Sequence, residues 1–102
     1  MPDGKPLFDT GAVYATPGVL RLLGNNLQAA HDFTLACLAR HAYGDWGDVN
    51  IADKARNDAS VNDGTRIVSA YPFIDDAGTE HRIWCITEAD RSATTLLLPE
   101  DY

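Results

Sequence analysis

The pattern of apolar and polar positions changes period near residue 64. Before it, apolar residues recur at three- and four-residue steps, the period of a helix. After it they come in short runs bounded by turn residues, the habit of strands. The longest helical stripe is Leu27, Ala30, Phe33, Thr34, Cys37 and Leu38. It predicts a helix opened by Asn25 or Asn26 and running to about His41, the next member of the stripe. Gly44 and Gly47 close it. A brief helix precedes it over GVLRLL: Thr16 can cap it, Pro17 needs no N–H at the first position, and Gly24 can supply a left-handed end. A third helix is predicted from about Val49 to Ser60, capped by Asp48. Its apolar face (Ile51, Ala55, Ala59) is thin, which places it at the surface.

Asn62-Asp63-Gly64 reads as a turn. RIVSAYPF is then the first strand, IDDAGTE a hairpin connection with Gly78 at positive φ, and HRIWCITEA the second strand. Asp90-Arg91-Ser92 turns the chain into ATTLLL, which Pro99 ends. Ile83, Trp84, Cys85 and Ile86 are apolar in succession, the mark of a central strand covered on both faces. LFDTGAVYAT reads as a short strand or a hairpin with Gly11 at its bend, and residues 1–6 as a loose tail. The expectation is one α+β domain over 1–102: an N-terminal short strand and two to three helices packed on a C-terminal three-stranded antiparallel meander.

Composition narrows the function classes. The chain has 102 residues, 45% hydrophobic and 23% charged, enough for one core. No apolar stretch reaches membrane-spanning length, and the first residues lack a basic segment followed by an apolar run. No membrane association is expected, and the expected location is cytoplasmic. Fifteen Asp and Glu against eight Lys and Arg give a net charge of −7, with the basic residues scattered. That disfavours nucleic acid held by its phosphates and suits a basic protein partner. Cys37 and Cys85 lie in apolar segments without a C-x-x-C, which reads as two buried free thiols.

The motifs are incomplete. Asp45, Asp48, Asn50 and Asp53 cluster as if for calcium, but an EF-hand counted from Asp48 meets Ala52, Asp53 and Ala59 where it needs an oxygen ligand, Gly and Glu. H-E-x-x-H, the phosphate loops and G-x-S-x-G are missing, so no metal and no cofactor are expected. His41 can be a general acid or base, or a half-buried core histidine; its place on the apolar stripe favours the second. GDWGD reads as a helix stop with Trp46 as an aromatic plug, while Asp45 and Asp48 bond local N–H groups. In TEADRS, Arg91 beside Glu88 and Asp90 is either an exposed ion pair or a side chain reaching Asp45 or Asp48. The second arrangement would join two polar loops into one surface of Asp45, Trp46, Asp48, Asp90 and Arg91.

In H-x-x-G-D-W-G, R-I-V-S-A-Y, I-T-E-A-D-R-S-A-T-T and L-L-L-P-E-D-Y the chain resembles a family of small bacterial plasmid-related proteins, carried on plasmids and integrated elements. The likeness runs from about Val13 to Tyr102. Matching residues include His41, Asp45, Trp46, Asn57, Arg66, Ser69, Thr87, Glu88, Arg91 and Thr94. The label sometimes attached to the family, a type I restriction modification subunit, does not fit: the adenine-methylase N/D-P-P-Y/F and glycine-rich cofactor loops are absent. What the resemblance implies is mobile-element cargo, without a defined activity. Three functions are then open. The leading one is an acidic, non-enzymatic protein-interaction module. The alternative is a small ribonuclease-like enzyme or toxin using His41 with Glu88 and Arg66 or Arg91. The third is a structural subunit of a larger complex.

Overall fold

The computed structural model describes residues 5–24 and 26–102. In chain order the elements are β1 (Ala12–Ala15), α1 (Pro17–Leu23), α2 (Leu27–Ala42), α3 (Ile51–Asp63), β2 (Ile67–Ile74), β3 (Glu80–Thr87) and β4 (Ala93–Leu97). A short 3-10 turn, Pro99–Asp101, follows. The class is α+β, as expected. Residues 1–4 of the expected tail and Asn25 lie outside the described residues.

The sheet corrects the three-stranded expectation. Its order is β1-β4-β3-β2, four strands, with β1 parallel to β4 and the other pairs antiparallel. The meander β2–β3–β4 is there, but β1 extends it. A parallel neighbour needs a long crossover, and here the helices and two strands intervene between β1 and β4. Local pattern can announce a strand such as β1 but not a partner so far along the chain. Gly11 is therefore no hairpin bend. It leads into β1 at φ 62°, where an added Cβ would sit 2.4 Å from the Ser92 backbone.

The helix caps are chosen by local side chains. Thr16 Oγ1 accepts from Val19 N–H and Asn26 Oδ1 from Ala29 N–H. Asn50, not Asp48, caps α3: its Oδ1 accepts from Asp53 N–H at 2.8 Å. Asp48 is otherwise engaged, because Gly47 bridges to Ala70 at the edge of β2 and Asp48 N–H donates to the Ala70 carbonyl at 2.8 Å. Asn62 and Asp63 are the last turn of α3 rather than a free turn, and Gly64 closes that helix in the left-handed conformation. Gly24 has a positive φ but an extended ψ, so it leads the chain away from α1 without a left-handed helical residue.

The helix-facing side of the sheet carries the main core: Val19, Cys37, Tyr71, Ile83, Cys85 and Leu96. A second cluster gathers Phe8, Trp46 and Ile67. Both thiols are free and buried. Burial pushes Cys37 up to about 11 and raises Cys85 further, so neither is a ready nucleophile. On the other side, Ile86 and Leu97 are buried while Trp84 is half-buried against Tyr102. The edge of β2 is closed by side chain as well as by backbone. Asn57 of α3 donates Nδ2–H to the Val68 carbonyl at 2.7 Å, and its Oδ1 accepts from Val68 N–H at 3.1 Å. Its amide stands in for a neighbouring strand at that residue. Among the described residues no helix is long and apolar enough to cross a membrane.

Candidate functional site

His41 sits near the end of α2, where the apolar stripe turns the side chain onto the sheet, and it is fully enclosed (0% exposed). Alternation along the strands points Ser69, Thr87 and Thr94 to the same side. They form one line. Thr94 Oγ1 donates to the Thr10 carbonyl at 2.7 Å and lies 2.6 Å from Thr87 Oγ1. Thr87 Oγ1 is 2.9 Å from His41 Nε2, and His41 Nδ1 is 2.6 Å from Ser69 Oγ. The terminal carbonyl can only accept, and this fixes the protons as far as the imidazole: Thr94 donates to Thr10, Thr87 to Thr94, and His41 Nε2–H to Thr87. A neutral imidazole is then the Nε2–H tautomer, with Nδ1 free to accept from Ser69.

Burial, assisted by the Arg91 charge, lowers the His41 pKa to about 4. An imidazolium would be desolvated there, and its second N–H would displace the Ser69 proton. Aromatic rings complete the enclosure. Phe8 meets His41 edge-on at 5.2 Å and Trp46 does so at 6.0 Å. Among the described residues no buried side-chain nitrogen or oxygen lacks a hydrogen-bond partner.

The GDWGD segment serves the same enclosure. Trp46 is 4% exposed and donates Nε1–H to Asp58 Oδ1 at 2.9 Å. Its carbonyl accepts from Ala70 N–H. Asp45 accepts from Arg40 Nε–H at 2.7 Å and from Gly47 N–H at 3.2 Å. The Arg40 hydrogen bond, chiefly, holds its carboxyl below the usual range. Tyr71 hydroxyl donates to the Asp45 carbonyl. Gly47 is required by contact: its φ is 72°, and an added Cβ would lie 2.1 Å from the Ala70 carbonyl oxygen.

Arg91 does not reach Asp45 or Asp48. Its guanidinium donates to the carbonyls of Ser60 (2.7 Å), Thr65 (2.7 Å) and Glu88 (3.2 Å), and lies 5.6 Å from the Phe8 ring centre. It ties the β3–β4 turn to the carboxyl end of α3, where a cation is favoured. Asp45 pairs with Arg40, and Asp48 has Arg82 at 3.6 Å. Asp90 Oδ1 accepts from Ser92 N–H at 3.0 Å within its own turn. Hydrogen bonds to Ser92 keep its carboxyl low.

Of the proposed acid–base set, Arg91 is near enough for its charge to act on His41, while Glu88 and Arg66 lie outside the enclosure of the ring. Glu88 is exposed at the strand end. Arg66 stands on the open face of the sheet: it donates to the Tyr102 hydroxyl, and its guanidinium lies 5.4 Å from that ring. His41 is on the opposite face. What sequence reading missed is a groove on the open face, between α3 and strands β2 and β3. Two adjoining cavities of about 300 and 420 Å³ share Val49, Asp53 and Val68. Arg56 and Arg66 line one, while Asp48, Arg82 and Trp84 line the other. Alternation along β2 and β3 would place Arg66, Arg82 and Trp84 on a common face; Arg56 on α3 carries no such signal.

Among the described residues no group of three or more His, Cys, Asp or Glu could hold a metal ion. Set against known protein families, curated proteins and solved structures, the chain matches none.

Proposed function

We propose that the protein is a non-enzymatic interaction module that binds a basic protein partner. The observation that carries this reading is the state of His41. It is enclosed, neutral, bonded at both ring nitrogens and on the far side of the sheet from Arg66. That arrangement serves folding and offers no acid–base pair to a substrate. Asp45 and Asp48, by contrast, keep about half of their side chains in solvent (53% and 48%). Their arginine neighbours are exposed as well, so these pairs are weak and exchangeable. The chain carries a net −7, which would steer a cationic surface toward them. The motif resemblance adds a mobile-element setting.

The test is capture of partners by the native protein and by Asp45→Asn/Asp48→Asn, both first shown to be folded. Loss of a captured basic protein in the double variant, and on raising salt, is the expected result. Capture that ignores both changes, or no capture at low salt, would count against the reading.

A further inference from the structure

We propose that the open-face groove binds a nucleoside monophosphate, free or as the end of a single strand, with its phosphate toward Arg56 and Arg66 and its ring against Trp84. This goes beyond the basic-partner reading and uses the opposite charge.

The chain is acidic, yet three of its eight basic residues line these two cavities. Arg40 is paired with Asp45, and Arg91 is engaged by carbonyls, so both are committed within the fold. The groove arginines are differently placed. Among the described residues Arg56 has no side-chain hydrogen bond or ion pair, Arg66 meets only the Tyr102 hydroxyl and ring, and Arg82 has Asp48 at a long 3.6 Å. Two guanidinium groups on one small cavity suit a phosphate, whose oxygens match their fork geometry.

The second cavity explains the rest of the ligand. Trp84 gives it an aromatic wall. Tyr102, 67% exposed, already lies against Trp84 with ring centres 5.6 Å apart and its hydroxyl on Arg66. Tyr102 lines neither cavity, but it shows that the Trp84 face takes an aromatic ring whose oxygen is directed at Arg66. Asp48, Asn50 and Asp53 add acceptors. Carboxylates in the groove would repel a bare polyanion but can take hydrogen bonds from the amino group of a base or the hydroxyls of a ribose. Each cavity lies near the lower end of the roughly 300–1,000 Å³ range of small-molecule sites, and joined they fall well within it.

The experiment is a titration of the full chain followed by amide and indole NMR shifts. The probes are each common ribonucleoside 5′-monophosphate, inorganic phosphate, adenosine and a four-nucleotide RNA. A monophosphate should move the Trp84 indole N–H and the Val68 and Ala70 amides, and bind more tightly than phosphate or adenosine alone. Arg66→Gln, checked by an otherwise preserved spectrum, should weaken it about tenfold, the loss of one charge-assisted contact. Tighter, salt-sensitive binding of the RNA would assign the strand end as the source, and equal binding the free nucleotide. No shifts at millimolar nucleotide, shifts confined to residues outside the groove, or undiminished binding by Arg66→Gln would overturn the proposal.

Discussion

The two faces of the sheet treat polar side chains in opposite ways. On the helix side, the imidazole and hydroxyls of His41, Ser69, Thr87 and Thr94 are all enclosed and their hydrogen bonds are complete. On the open side, Arg66 and Arg82 are exposed and loosely partnered around a half-buried Trp84. A buried hydroxyl left unpaired loses its hydration without return, so the interior tolerates no idle donor. A solvated guanidinium can wait for a ligand at little expense. Chemistry-bearing residue types therefore mark the folding machinery on one face and the candidate binding surface on the other.

The strongest test of that division is His41→Ala. It empties part of the core and strands the Ser69 and Thr87 hydroxyls, so it should destabilise by about 3–5 kcal/mol. Urea unfolding would measure it. A loss below about 1 kcal/mol would mean that the line is not a structural unit. Next in size is the glycine that closes the interior edge. Gly47→Ala combines a positive φ with a backbone collision and should cost about 3 kcal/mol or more. Gly78, at the solvent-exposed hairpin, has a φ of 84° but open space around it. Gly78→Ala should cost only about 1 kcal/mol. Equal losses at the two positions would remove the contact argument and leave backbone strain alone.

How much of this was legible in the sequence follows the same line. Helical and strand periods are local, so α1, α2 and the β2–β3–β4 meander could be read directly. His41 could be placed in the core because it continues the α2 stripe. The β1–β4 pairing could not be read, since it joins residues such as Val13 and Thr94 across most of the chain. Nor could the work of Arg91, whose acceptors are backbone carbonyls that no residue type announces. Several polar residues of the sequence motifs (His41, Asn57, Ser69, Thr87, Thr94) are buried. Their roles are visible as hydrogen bonds of the fold, and such residues need not stand at the spacings of a catalytic motif. The groove was hidden for the opposite reason: its arginines are dispersed in sequence and meet only when α3 packs beside β2.

Acid should distinguish the faces as well. His41 has a folded-state pKa of about 4 against an ordinary 6.5, so the unfolded chain binds the extra proton first. Between these values stability should fall as pH falls, by up to about 1.4 kcal/mol per pH unit, and it should be fully present above 6.5. The lowered carboxyls of Asp45, Asp75, Asp90 and Asp101 act only below their ordinary 3.8. Unfolding followed at pH 7, 6, 5 and 4.5 separates the two windows. A flat profile in this range would show that His41 accepts its proton without disturbing the hydroxyl line.

The smallest expected effect is the one that best isolates the open face. Arg82 has one exposed acidic neighbour, at 3.6 Å, and stands beside a groove rather than inside the core. An exposed pair of this length contributes little once screening and side-chain entropy are counted, so Arg82→Ala should change stability by less than about 0.5 kcal/mol. Under the division of faces it should nevertheless alter the groove, moving the Trp84 indole N–H while the His41 ring signals stay fixed. A stability loss above about 2 kcal/mol would mean that the open face shares the folding burden. Movement of the His41 signals would mean that the sheet transmits changes between its two sides, and the contrast between a completed interior and a waiting surface would then have to be given up.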